Sequence, residues 1–225
     1  MFQPKLDVLP PAQRAIWPKL AELPEHFVLY GGTAVALRCG HRISEDFDFF
    51  SAQAFSPENL SKEVSWLREP TPKILQRQDQ TLTAEIKSTQ GPVKVSLFGT
   101  IGSGQIRPPD RATDNSHKIA SAEDLLALKL AVIHERLEAK DYLDIHALLK
   151  AGLSLSMGLS HLDALHPLMT NWAITLKTLI YFKGGDLPTL PAEVQRDLEE
   201  AVRQVRDVPR YSGAKTPIGR GASAC

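Results

Sequence analysis

Asp46 and Asp48 stand two residues apart in the run Asp46-Phe47-Asp48-Phe49. In a strand that spacing turns both carboxylates to one face, about 7 Å apart, and both rings to the other. Carboxylates so placed can share divalent ions. Upstream, Gly31-Gly32-Thr33 follows the short apolar run Phe27 to Tyr30. Its glycines let the backbone turn tightly and approach a ligand, and Thr33 adds a hydroxyl donor. A helix beginning there aims unpaired N–H groups and the positive end of its dipole at the same point. Together these residues describe a triphosphate held between a helix N-terminus and Mg²⁺ ions on paired aspartates, which is the chemistry of phosphoryl or nucleotidyl transfer. Alone, Gly-Gly is a turn and Asp-x-Asp a solvated face. Their conjunction is more specific, because a carboxylate on a strand half buried by Phe47 and Phe49 requires a cation or a donor.

The elements that position these groups read as strand, phosphate loop, alanine-rich helix, loop and metal strand. Gly40 ends the helix, and Arg42 in the loop Gly40-His41-Arg42-Ile43-Ser44 can reach a phosphate. His41 reads as a loop-packing or surface histidine. Ahead of this stretch, Ile16, Leu20 and Leu23 recur at helical spacing in a lead-in helix that Pro18 kinks or breaks. Behind it, Ser56-Pro57 opens a helix with Leu60, Val64 and Leu67 on one face. Three strands follow over Lys73 to Gln78, Thr81 to Ser88 and Val93 to Phe98. Ser121 reads as the cap of a helix from Leu125 to about Glu138, on which Lys129 and Arg136, two turns apart, form a cationic stripe. That stripe is either two snorkelling surface residues or a phosphate clamp. The rest is helical in pattern: His161, Leu165 and Leu168 lead one segment, Trp172, Leu176 and Ile180 another, and Val194, Leu198 and Val202 a third.

The stretch GGTAVALRCGHRISEDFDFF resembles the signature of the polymerase-β-like nucleotidyltransferase superfamily, and within it the AbiEii/AbiGii toxin type. KLAVIHERLEAKDYLDIHALL is similar to that family's second signature, with Lys129, Leu130, Arg136 and the run Asp141 to Asp144 at matching positions and Lys140 where arginine is usual. The resemblance covers Phe27 to Leu149 with specific motifs. It implies that Asp46 and Asp48 are catalytic metal ligands, that Gly31, Gly32, Thr33, Arg42 and Arg136 bind the nucleotide, and that Lys129 and Asp141 are needed for activity. Read without it, Asp141 is a helix N-cap. The sequence departs from the superfamily at Ser96, where a third carboxylate is expected, and serine cannot supply the charge that helps hold a second metal. Glu85, on the polar face of the preceding strand, is a substitute or else a solvated strand residue.

The implied architecture is an α/β (α+β) protein: a small mixed-sheet nucleotidyltransferase core over 1–118, a mostly α-helical lobe over 119–208 completing the cleft, and a mobile tail over 209–225. The implied function is Mg²⁺-dependent transfer of a nucleotide from an NTP to an RNA or protein acceptor such as tRNA. The chain would be the toxin of a toxin–antitoxin or phage-defence pair in the bacterial cytoplasm, with an antitoxin protein as partner. An NTP-binding protein that has lost transfer, or a structural or regulatory module without nucleotide binding, are the alternatives. With 26 Lys+Arg against 26 Asp+Glu in 225 residues, bulk electrostatic coating of nucleic acid is excluded, though not a local basic groove. Two cysteines, Cys39 and Cys225, make neither a disulfide framework nor a zinc spacing and fit a reducing compartment. The opening MFQPKLDVLPP has no basic stretch followed by an apolar run, so a secretory leader is not expected, and no run approaches the roughly 20 apolar residues of a membrane span.

Overall fold

The computed structural model describes residues 1–68, 70–114, 117–167 and 171–220. Leu168 and the last five residues of the expected tail, Cys225 among them, lie outside these. The chain divides into two compact units, Met1–Ser121 with Thr216–Cys225, and Ala122–Lys215.

The first unit is built on a seven-stranded mixed sheet. Its strands are β1 (Val28–Tyr30), β2 (Asp46–Phe50), β3 (Lys73–Gln78), β4 (Thr81–Ser88), β5 (Gly91–Phe98), β6 (Asp110–Arg111) and β7 (Lys118–Ile119), in the spatial order β3-β4-β5-β2-β1-β7-β6. Strand β2 runs antiparallel to β1 and parallel to β5, with Asp46 opposite Lys94 and Asp48 opposite Ser96. Alternation does what the residue pattern demands: Phe47 and Phe49 are fully buried and the two aspartates take the other face. Phe47 packs against Trp17 with ring centroids 5.9 Å apart. The outermost strand β3 is Lys, Gln and Arg over most of its length, polar chemistry that keeps an open edge from pairing with other chains.

The lead-in helix α1 (Pro11–Ile16) gives way at Pro18 to a 3₁₀ segment over Trp17–Glu22, because proline has no N–H for the next α-helical bond. Helix α2 (Gly31–Cys39) starts directly after β1 and ends at Gly40, whose left-handed φ of 70° lets its N–H reach the Ala36 carbonyl at 2.7 Å. Helix α3 (Pro57–Glu63) is capped by Ser56, which accepts from the Asn59 N–H at 3.3 Å.

The second unit is helical: α4 (Ala122–Val132), α5 (Ala139–Lys150), α6 (Leu155–Leu165), α7 (Trp172–Leu179) and α8 (Ala192–Gln204). Two expectations are corrected here. The helix expected to run to about Glu138 stops at Val132. β-Branched Val132 and Ile133 weaken the helix end, and Asp186 accepts from the Ala139 N–H at 2.6 Å to start α5 instead. Arg136 therefore lies in a turn, and no helical stripe joins it to Lys129. The tail is corrected in part, since Thr216 pairs with Gln105 in both directions (2.8 and 3.1 Å) and Ile218 is buried in the first unit.

Candidate functional site

Each unit holds one cluster of the residues singled out by sequence. In the first, β1 hands directly into α2: Tyr30 ends the strand and Gly31 is the first helical residue. It takes φ +73°, and a Cβ there would lie 2.9 Å from Asp48 Oδ2. A side chain at this point is both strained and in collision with the carboxylate. At Gly32 a Cβ would collide with the Arg42 guanidinium. The two glycines thus keep open the space that Asp48 and Arg42 occupy, and the structure brings the start of α2, Asp48 and Arg42 together. Arg42 also donates to its neighbour's carbonyl, Ile43 O, at 3.0 Å.

Thr33 is placed otherwise than expected. Its hydroxyl is buried, donates to the Asp46 carbonyl and hydrogen-bonds the Ser44 hydroxyl at 2.8 Å. A hydroxyl has one proton, so with that proton on Asp46 the bond to Ser44 is received. Thr33 ties the first turn of α2 to the start of β2, and its side chain fixes the backbone of a metal-ligand candidate. Sequence reasoning passed over Ser44, although a serine two residues before the first aspartate of the pair was the available signal.

Asp46 carries an ion pair with Lys94, Nζ to Oδ2 3.6 Å, and half of its side chain is exposed. On the same face Glu85 stands across β5 from Asp46, with Lys94 between them in register. Glu85 is paired at 3.1 Å with Lys73 on the outer strand. It does not replace the missing third carboxylate beside Asp48, where Ser96 and then Thr83 occupy the register. Among the described residues no group of three or more His, Cys, Asp or Glu side chains is arranged to hold a metal ion. The donor set is therefore two carboxylates on one strand face. That set fits magnesium delivered with a nucleotide, which uses one or two carboxylates together with substrate phosphates, and the close approach of Asp48 to Gly31 puts the pair beside the helix start.

In the second unit, Lys129 on α4 is 4% exposed and lies 2.6 Å from both Asp141 Oδ1 and Asp144 Oδ2, each aspartate fully buried on α5. Arg136 completes the set from the turn between the helices, with Nε 2.8 Å from Asp141 Oδ2 and Nη2 3.2 Å from Oδ1. Burial works to raise the Asp141 carboxyl, but the hydrogen bond from Arg136 and the charge of Lys129 together outweigh it and hold the carboxyl below its ordinary value. Asp141 is the third residue of α5, so it is not the N-cap that its position suggested. Asp144, placed by sequence in the matching run, was given no role there. Its signal was an acid three residues after Asp141 on the same helical face as buried Ile145 and Leu148.

A family model described as "Nucleotidyl transferase AbiEii toxin, Type IV TA system" matches residues 18–211. The protein aq_aa25 of Aquifex aeolicus (strain VF5) is 28% identical over 184 residues, 80% of this chain and 83% of that one. Among solved structures, a candidate nucleotidyltransferase from H. pylori aligns over 85% of this chain and 90% of its own with a TM-score of 0.55 at 20% identity, a likeness of fold. The nucleotidyltransferase toxin MenT4 from Mycobacterium tuberculosis H37Rv aligns over 83% and 89% with a TM-score of 0.48 at 14% identity.

Proposed function

Because the chain belongs to the AbiEii nucleotidyl transferase toxin family, we propose that it transfers a nucleotide from an NTP to an RNA or protein acceptor, with Asp46 and Asp48 as the residues that would hold Mg²⁺. The observation that carries this reading is the convergence of Asp48 on Gly31 and of Arg42 on Gly32 at the start of α2. It gathers a carboxylate, a guanidinium and open helix N–H groups around one small space. When bound, the metal supplies positive charge at the α-phosphate and at the leaving pyrophosphate. The chain's own groups do the rest. The first turn of α2 and Arg42 receive the outer phosphates, as donors and a planar cation do for phosphate oxygens. The acceptor oxygen bonds to the α-phosphorus, the bond to the bridging oxygen breaks, pyrophosphate departs with that electron pair, and the acceptor proton passes to Asp48.

Lys129 and Asp141 are positioning residues in this account. Their ion pair fixes Arg136, the arginine of the second signature, for an anionic group. The family description is that of a toxin of a type IV toxin–antitoxin system, and in the proposed setting the chain is such a toxin in the bacterial cytoplasm, countered by an antitoxin. Among the described residues no helix is long and apolar enough to cross a membrane.

A second reading has one observation in its favour. Ser96, not an acid, is in register with Asp48, which suits a protein that binds Mg²⁺–NTP without transferring it. Incubation with each α-labelled NTP, Mg²⁺ and total cellular RNA, beside Asp48→Ala, separates the two. Labelled acceptor with the unsubstituted protein alone supports transfer. Signal equal to the variant with all four nucleotides overturns it.

A further inference from the structure

We propose that Lys94 is a built-in counter-ion at the metal site: it neutralises Asp46 while no metal is bound and moves to Glu85 when a divalent cation arrives. This rests on the reading of Asp46 as a metal ligand and names a residue that controls its occupancy. The register aligns four side chains of alternating charge across one face of the sheet. Lys73 on β3 opposes Glu85 on β4, Glu85 opposes Lys94 on β5, and Lys94 opposes Asp46 on β2. Residues in register share a face, so the four form a continuous row. Two links of the row are closed as ion pairs, Lys73 to Glu85 at 3.1 Å and Lys94 to Asp46 at 3.6 Å. The middle link, Lys94 to Glu85, is the one that can form when the outer one opens.

The row has room for that exchange. Asp46, Glu85 and Lys94 all border one cavity of about 320 Å³. The floor of this cavity includes Gln13, which is 2% exposed and has a side-chain amide with no hydrogen-bond partner in the protein. The cavity, lined by these side chains together with Pro10, Ala12 and Pro92, lets the Lys94 ammonium swing over its own strand between two carboxylates whose strands lie two spacings, about 9.6 Å, apart. A dication at Asp46 repels the ammonium beside it, and Glu85 is the acceptor one strand away.

The strength of the Lys94–Asp46 pair is set by its exposure, 44% and 49% of the two side chains. Exposed pairs of this kind shift an equilibrium by about 1.4- to 5-fold. Lys94 therefore tunes metal affinity without blocking the site. It also keeps Asp46 from standing as an uncompensated charge when nucleotide and metal are absent.

The test is Mn²⁺ binding followed by electron paramagnetic resonance of the free ion, at about 0.15 M salt, with an NTP analogue whose α–β bridge cannot be cleaved. Salt at that level screens charges more than about 8 Å apart, so what remains is local. The proteins are the unsubstituted chain, Lys94→Gln, Glu85→Gln, the double variant and Asp46→Asn. The account expects Lys94→Gln to tighten Mn²⁺ binding by about two- to fivefold and Glu85→Gln to weaken it by a similar factor. It also expects the Glu85→Gln effect to fall away in the Lys94→Gln background, because the glutamate acts only through the lysine. An unchanged or weaker affinity in Lys94→Gln, or a Glu85→Gln effect of equal size in both backgrounds, overturns the counter-ion role while leaving Asp46 as a ligand. If the unsubstituted chain and Asp46→Asn bind Mn²⁺ alike, the metal reading of Asp46 itself is overturned, and this inference with it.

Discussion

Replacing Lys129 by methionine keeps the length and most of the apolar contact of the side chain and removes only the ammonium. In the folded protein that ammonium sits 2.6 Å from two carboxylates, Asp141 and Asp144, both fully buried. Arg136 still answers Asp141 in the variant, so Asp144 bears most of the loss. Removing one partner of a buried ion pair costs about 3–5 kcal/mol, against the 5–15 kcal/mol that holds a typical domain folded. A second substitution, Asp144→Asn, turns the acid that faced the ammonium into a neutral amide. The double variant should recover at least half of the loss, because replacing a buried pair as a whole is close to neutral. Urea unfolding followed by far-ultraviolet dichroism reads the stability, and hydrogen exchange at the α5 amides assigns the change to the helical unit. The pH dependence has a defined sign. Asp141 is held below its ordinary 3.8, so its contribution is in place above that pH and is lost as pH falls through the lower folded value. If Lys129→Met unfolds within 1 kcal/mol of the parent, or if Asp144→Asn adds to its loss, the ammonium is not the partner of these acids. A lysine serving only as a nucleotide contact would give the first of those results.

Gly31→Ala places a side chain at φ +73°, with its Cβ 2.9 Å from Asp48 Oδ2. Chemical denaturation should register a loss of about 1–2 kcal/mol, and affinity for Mg²⁺–NTP should fall with it. Thr33→Val removes the hydroxyl bound to the Asp46 carbonyl and to Ser44 at nearly constant shape. A cost of about 1–3 kcal/mol is expected by urea unfolding, with Thr33→Ser keeping most of the stability. His117 is buried against the Phe27 carbonyl, Nε2 to O 2.8 Å, and burial pushes its pKa from 6.5 down to about 4. The folded state thus excludes a proton that the unfolded chain takes up, so stability is full above pH 6.5 and falls by a few kcal/mol as pH drops toward 4. Unfolding free energies measured across that window should show this slope, and His117→Gln should flatten it.

What the sequence made legible is local. The alternation Asp46-Phe47-Asp48-Phe49, the glycine pair after an apolar run, the Ser56 cap and the break at Pro18 each state their geometry within a few residues, although the helix capped by Ser56 stops at Glu63, with Val64 extended and Leu67 in a separate 3₁₀ segment instead of on its face. What stayed hidden depends on register or on contacts distant in the chain. That Lys94 faces Asp46 follows from which strand neighbours β2, and β5 is more than 40 residues further on. The end of α4 was misjudged because the side chain that starts α5, Asp186, is 47 residues beyond the N–H it accepts from. Thr33 looked like a ligand group because its type and position suit one. Only the fold shows its hydroxyl turned to Asp46 and Ser44. Lys129 was singled out as half of a cationic stripe and, with Asp141, by resemblance; that the two form a buried ion pair depends on how α4 and α5 pack.

The central claim is that Asp46 and Asp48 bind a nucleotide through a shared divalent ion. Isothermal titration with an NTP analogue that cannot be cleaved between the α and β phosphates, in Mg²⁺ and again in EDTA, tests it directly. One molecule bound per chain in Mg²⁺, with binding lost in EDTA and in Asp46→Asn/Asp48→Asn, is the result predicted. Equal affinity in EDTA, or in the doubly substituted protein, would contradict it.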